Sequence, residues 1–330
     1  MSTSGGTRAV VAALLANLGI AVTKFGAWAL TGASSMLAEA IHSVADSGNQ
    51  VLLLVGGRRA RRAPDDEHQF GYGRIRYVYA FIVSIVLFTL GGVFALYEAW
   101  NKAEEVRSGE PNELLESQWW WVPLAVLGAA LVMESFSLRT AVRESNELRG
   151  SLSWPQFVRR AKAPELPVVL LEDSGALLGL VFALFGVGLT LATGNGYYDA
   201  GGTAMIGVLL VAIAVVLAVE MTSLLVGESA EPEKTAAITA ALAGARGVDR
   251  IIHLKTLYLG PDELLVAAKI GIRGEGSAQD MADVVNAAER AVREVLRTSA
   301  TIYLEPDVYD ADYTPARQPR GHDAPRDAAH

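Results

Sequence analysis

Six runs of apolar residues, Ala9–Leu30, Met36–Gly57, Tyr77–Trp100, Trp119–Leu138, Leu166–Leu191 and Gly201–Gly227, occupy most of the first two-thirds of the chain. A bilayer core is crossed by a helix of roughly 20 apolar residues, so every run is long enough to span one. The composition agrees: 51% of residues are hydrophobic and 19% charged, where soluble domains carry about 25% charge. The first run is too long, and too closely followed by a second, for a cleaved leader. The sequence therefore predicts an all-α six-helix transmembrane bundle over residues 9–227, preceded by a short tail at 1–8, with the lipid bilayer as its first partner.

Lys and Arg in the short connections set the orientation. Arg58, Arg59, Arg61, Arg62, Arg74 and Arg76 lie between spans two and three, and Arg139, Arg143, Arg149, Arg159, Arg160 and Lys162 lie between spans four and five. On the opposite side only Lys102 and Arg107 occur, among Glu104, Glu105, Glu110, Glu113 and Glu116. Both termini are thus expected in the cytoplasm. Trp119, Trp120 and Trp121 fall where span four meets the outer interface and read as an aromatic belt.

Beyond Gly227 the pattern becomes that of a small soluble domain. Glu231–Ala243 reads as a helix, Ile251–Leu259 as a strand, Gly260-Pro261-Asp262 as a turn, and Leu264–Ile272 as a second strand. Gln279–Arg297 reads as an amphipathic helix and Thr301–Glu305 as a third strand. The expected architecture over residues 228–310 is a small α+β domain, αββαβ and ferredoxin-like, followed by a disordered tail at 311–330. The net charge of −8 argues against a nucleic-acid partner. The chain has no cysteine, which excludes a disulfide scaffold, a thiolate metal site and a thiol nucleophile. Any metal must be held by nitrogen and oxygen donors.

An ionisable residue at membrane depth costs several kcal/mol on insertion scales of roughly 2.5–3.5 kcal/mol per residue, and so marks a functional site by default. Span two contains Glu39, His42, Asp46, Asn49 and Gln50, and span five contains Glu172 and Asp173. His42 and Asp46 are four residues apart, so they stack on one helical face, and Asn49 continues that stripe. An imidazole nitrogen beside a carboxylate oxygen suits Zn2+, which takes four ligands in a tetrahedron and so needs donors from elsewhere. Asp173 is the favoured donor, since Asp173, Ala176, Leu177 and Leu180 trace one face; Glu172 and Asn49 are candidates for the fourth position or for supporting hydrogen bonds. The competing reading makes His42 and Asp46 a buried pair that only holds spans together. Glu98, Glu134 and Glu220 read as span-end residues solvated at the interface. Lys24, in span one, either neutralises a carboxylate or pairs within the bundle.

The stretch from Thr31 to Gln50, with its His42-Ser43-x-x-Asp46-x-x-Asn49-Gln50 core, resembles the second-span signature of the cation diffusion facilitators. His68-Gln69-Phe70-Gly71-Tyr72-Gly73-Arg74 resembles the family's loop before span three, and Leu171-Glu172-Asp173-Ser174 its span-five motif. The resemblance covers residues 8–310 and is strongest to the branch that contains the mitochondrial zinc transporter of animals and its bacterial relatives. It implies a homodimeric metal/proton antiporter, exporting divalent cations by alternating access, in a bacterial plasma membrane.

The resemblance also implies a transport site with two ligands from span two, here His42 and Asp46, and two from span five. The second of these falls on Asp173, whereas the first falls on Val169, which has no donor. An accessory loop site is implied at Asp65 and His68, with Tyr72 where a His is common. In the tail, Tyr303 and Glu305 stand where some members have His and Asp, and His253 lies beside another ligand position, so the domain reads as purely dimerising. No resident cofactor is expected. The transported ion is Zn2+ by ligand type, with Mn2+, Fe2+ or Co2+ as alternatives and protons as counter-ion. A membrane metalloenzyme is disfavoured, since no His-Glu-x-x-His pair occurs; a non-transporting scaffold or metal-sensing homologue is the remaining class.

Overall fold

The computed structural model describes residues 4–31, 34–109, 115, 118–272, 277–296 and 298–309, with side chains described throughout these except at 4–6, 27, 28, 30, 31 and 34–42. The tail at 311–330 therefore lies outside the described residues. The described residues fall into two compact units: those of 4–231 with 256–265 and 298–301, and those of 232–255, 266–296 and 302–309.

The first unit is helical. Its elements are α1 (Ser4–Thr31), α2 (Ser34–Arg59), α3 (Ile75–Val86), a π-helical turn (Leu87–Val93), α4 (Phe94–Ser108), α5 (Trp121–Arg149), a short α6 (Trp154–Arg160), α7 (Glu165–Thr193) and α8 (Tyr197–Val226). The π-turn contains Gly91 and Gly92, and joins α3 to α4 in one continuous rod. Among the described residues five helical segments are long and apolar enough to cross a membrane: Thr7–Gly26, Ile75–Ser108, Trp121–Arg149, Glu165–Thr193 and Tyr197–Val226. The expected second span, α2, has the length, 26 residues or about 39 Å at 1.5 Å per residue, but it carries Asp46, Asn49, Gln50, Arg58 and Arg59.

Large apolar side chains face outward all along the bundle, including Leu15, Val22, Phe136, Phe185 and Val219. In water such a surface would be an aggregation hazard; against lipid it is the ordinary outer face of a span. Inside, Leu53, Tyr77, Val83, Leu166, Val168, Val169, Leu217 and Met221 form a continuous apolar core. Small residues let α7 and α8 approach closely: a Cβ on Gly186 would meet Tyr198 O at 2.9 Å, and one on Gly202 would meet Phe182 O at 2.8 Å.

The apolar run of the fourth span ends at Leu138, and α5 continues beyond it to Arg149, because a helix does not stop where the hydrocarbon does. The basic stretch after it contains a further helix, α6, which opens with Gln156 Oε1 accepting from the Ser153 amide at 3.0 Å and with Pro155 in its first turn. At the start of α3, Arg76 makes a two-pronged pair with Glu165 at the start of α7, at 2.5 and 2.7 Å, and Lys162 pairs with Glu228.

The remaining elements are α9 (Pro232–Gly244), β1 (Val248–Gly260), β2 (Glu263–Ile272), α10 (Ala278–Val295) and β3 (Ser299–Asp307), in the expected αββαβ order. They form a three-stranded sheet ordered β1-β2-β3. Burial on β2 alternates, with Leu264, Val266, Ala268 and Ile270 on one face, the period-2 signature of a half-buried strand. Ser277 caps α10 through reciprocal bonds with Asp280, at 3.2 and 2.8 Å.

Candidate cation site

Buried polar side chains converge inside the helical unit from α1, α2, α5 and α7. On α2, Asn49 and Gln50 are 1% and 0% exposed. Gln50 Oε1 accepts from Asn17 of α1 at 3.4 Å, and Asn49 Nδ2 donates to Glu172 Oε1 of α7 at 3.0 Å. On α5, Ser137 Oγ donates to Asp173 Oδ2 at 2.6 Å. Asp46 is half-buried on α2 and lies within electrostatic reach of Glu134, Glu172 and Asp173.

Neighbouring residues on a helix project some 100° apart, so Glu172 and Asp173 do not both aim squarely at one point. Both are buried, 5% and 1% exposed. Their side chains go to different neighbours, Glu172 to α2 and Asp173 to α5, so the angle between them is used rather than wasted. The close-packed stripe expected through Ala176, Leu177 and Leu180 runs instead through Gly175 and Gly179, while those three residues are half-buried. Val169, one turn before Asp173, is fully buried in the apolar core.

The reading of Glu134 as an interfacial residue is overturned. Glu134 lies near the middle of α5, is 2% exposed, and shares a buried stripe with Ala130, Ser137, Ala141 and Ser145. The signal that could have found it was its spacing of three from Ser137 on an otherwise apolar helix. Glu98 and Glu220 remain partly exposed.

Several buried oxygens in this region have no hydrogen-bond donor: Asn49 Oδ1, Glu172 Oε2 and Glu134 Oε2. An unsatisfied buried acceptor costs about 1–3 kcal/mol, and more when charged, so three of them together need a reason. His42 lies on α2, but its side chain is outside the described residues. Among the described residues no three of His, Asp and Glu stand close enough to chelate one ion together.

In the loop, Asp65 and His68 stand together, with His68 Nδ1 3.7 Å from Asp65 Oδ1. Asp65 Oδ1 accepts from the His68 amide at 2.8 Å, and Oδ2 accepts from Tyr72 OH at 2.7 Å and from Arg62 Nη2 at 2.9 Å. The Tyr72 bond, then the His68 amide, hold the Asp65 carboxyl below its usual range. The rings of His68 and Tyr72 lie 4.4 Å apart. Tyr72, standing where a His was expected, closes the loop. In the sheet domain Glu305 is paired with Lys269 at 3.1 Å, and His253 and Tyr303 are exposed.

Fold and site together define an integral membrane protein with acidic side chains buried inside its helical unit. Residues 10–226 match the family signature described as the cation efflux transmembrane domain. The chain is 33% identical to the mitochondrial proton-coupled zinc antiporter SLC30A9 of Xenopus laevis, over 76% of this chain and 44% of that protein. It is 28% identical to metal tolerance protein C4 of Arabidopsis thaliana, over 83% of this chain and 58% of that one. It is 22% identical to the magnetosome protein MamM of Paramagnetospirillum magneticum, over 91% and 88% respectively. The chain thus spans about half the length of the first two relatives. It belongs to the cation efflux family, the cation diffusion facilitators.

Proposed function

We propose that this protein exports a divalent cation, Zn2+ foremost, from the cytoplasm in exchange for protons, by alternating access. His42 and Asp46 of α2 and Asp173 of α7 are the core ligands, with Glu172 and Asn49 completing or supporting the set. The observation that carries this reading is the group of donor-less buried oxygens, Asn49 Oδ1 and Glu172 Oε2, beside Asp46 and Asp173. A divalent cation is the partner that satisfies acceptors of this kind at membrane depth.

The exchange follows from ligand chemistry. A carboxylate or imidazole binds metal only when deprotonated, so a cation entering from one side displaces protons, and protons arriving from the other side release it. His42, with an ordinary pKa of about 6.5, switches within the physiological range. The similarity to a protein named as a proton-coupled zinc antiporter supports the same reading. Residues 228–310 act as a dimerisation domain, the membrane is the bacterial plasma membrane, and both termini face the cytoplasm.

The excess of oxygen over nitrogen donors favours a second substrate, Mn2+, with Fe2+ and Co2+ between. Isothermal titration of the purified full chain with Zn2+ and with Mn2+ tests the assignment. Tighter binding of Zn2+, lost in D46A, supports it; tighter Mn2+ replaces the metal, and binding of neither removes the site.

A further inference from the structure

We infer that Glu134 of α5 is a ligand of the transported cation, bringing a third helix into the site. This rests on the reading of Asp46 and Asp173 as cation ligands and extends it. A tetrahedral ion takes four donors, and Val169, on the same face of α7 as Asp173, offers only methyl groups to a fully apolar surround.

Glu134 is a further donor for the position that Val169 leaves open, beside Glu172 and Asn49. It is 2% exposed, and its Oε2 has no donor. One turn along the same face, Ser137 is bonded to Asp173 at 2.6 Å, which fixes that face of α5 against the acidic stretch of α7. The charged groups around Glu134 are Asp173, Asp46, Glu172 and, with the opposite sign, Lys24 of α1. Like charges in a poorly screened interior repel, which opposes close approach of the carboxylates. A divalent ion reverses the sign of that interaction and draws them together. Lys24 gives Glu134 a positive neighbour that a bound ion must outcompete.

The chain has no cysteine, so a single introduced thiol reports directly on position 134. In the full-length protein, E134C, D173C and S135C are titrated with Cd2+, and the ultraviolet thiolate-to-cadmium absorption is read. Ser135 is exposed on the outer face of α5, so S135C is expected to give no band, while E134C and D173C both give one. A band from D173C but none from E134C overturns the role of Glu134 and leaves the site standing. No band from either overturns the underlying reading as well.

E134H gives a second measurement, independent of E134C being recovered folded. An added imidazole at the ion is expected to raise the ratio of Zn2+ to Mn2+ transport in vesicles by about tenfold, following donor softness. An unchanged ratio in folded E134H overturns the proposal.

Discussion

Asp65 and the carboxylates of the bundle are the same chemical group in opposite circumstances. The loop carboxylate, in water, has both oxygens engaged by an amide, a phenol and a guanidinium. The buried ones, where water cannot help, retain oxygens with no donor at all. Stability alone would arrange matters the other way round, since an unmade hydrogen bond costs most where the dielectric is low. The difference separates a structural use of a carboxylate from a binding use. Where both oxygens are engaged, the group holds a loop; where one stays open at a cost, a bound cation is the partner proposed for it.

That contrast can be broken by moving donors. The largest effect is expected from N49L, which removes the amide that donates to Glu172 Oε1 and leaves a buried carboxylate without support. Losing a group that orients a metal ligand typically costs 10–100-fold, so zinc uptake into vesicles should fall by about that factor. Uptake within twofold of wild type would mean that Glu172 takes no part.

A smaller effect is expected from S137A, which deletes the bond to Asp173 Oδ2. Asp173 stays in place and loses one positioning contact, so the apparent KM for Zn2+ should rise by about tenfold, the lower end of that range. An unaltered KM, with the helical content intact, would sever α5 from the site.

The smallest effect belongs to the loop. Y72F removes the phenol that does most to hold Asp65 below its usual range. A carboxyl with a depressed folded value contributes stability in full above its unfolded value of about 3.9, and loses it as pH falls through the folded value. Y72F should therefore lower the melting temperature slightly at neutral pH, with the difference closing below about pH 4. Transport should stay within twofold. A tenfold loss of transport in Y72F would make the loop part of the cation path and erase the contrast.

Much of the fold was legible because apolar run length is a one-dimensional property. The long helix over each of the six runs follows from it directly, while the αββαβ order follows from periodicity and turn residues. The end of the fourth span was not legible, because hydropathy marks where hydrocarbon stops and the helix runs on through Arg139, Arg143 and Arg149. Taking the end of the apolar run as the end of the helix placed Glu134 near an edge and hid its burial. α6 was missed although Ser153-x-x-Gln156 with Pro155 is a helix-start signal. The pairing of Glu172 with Asn49, and of Asp173 with Ser137, could not be read from spacing. It depends on α7 having neighbours on two sides, which is a property of packing.

The central claim is that a proton gradient drives a divalent cation through this bundle by way of its buried carboxylates. The full-length chain in sealed vesicles with an acidic lumen, presented with external Zn2+, tests it most directly. The account predicts zinc accumulation that collapses when a protonophore dissipates the gradient and is absent in D46A. Accumulation no greater than in protein-free vesicles, or equal in D46A and wild type, would contradict it.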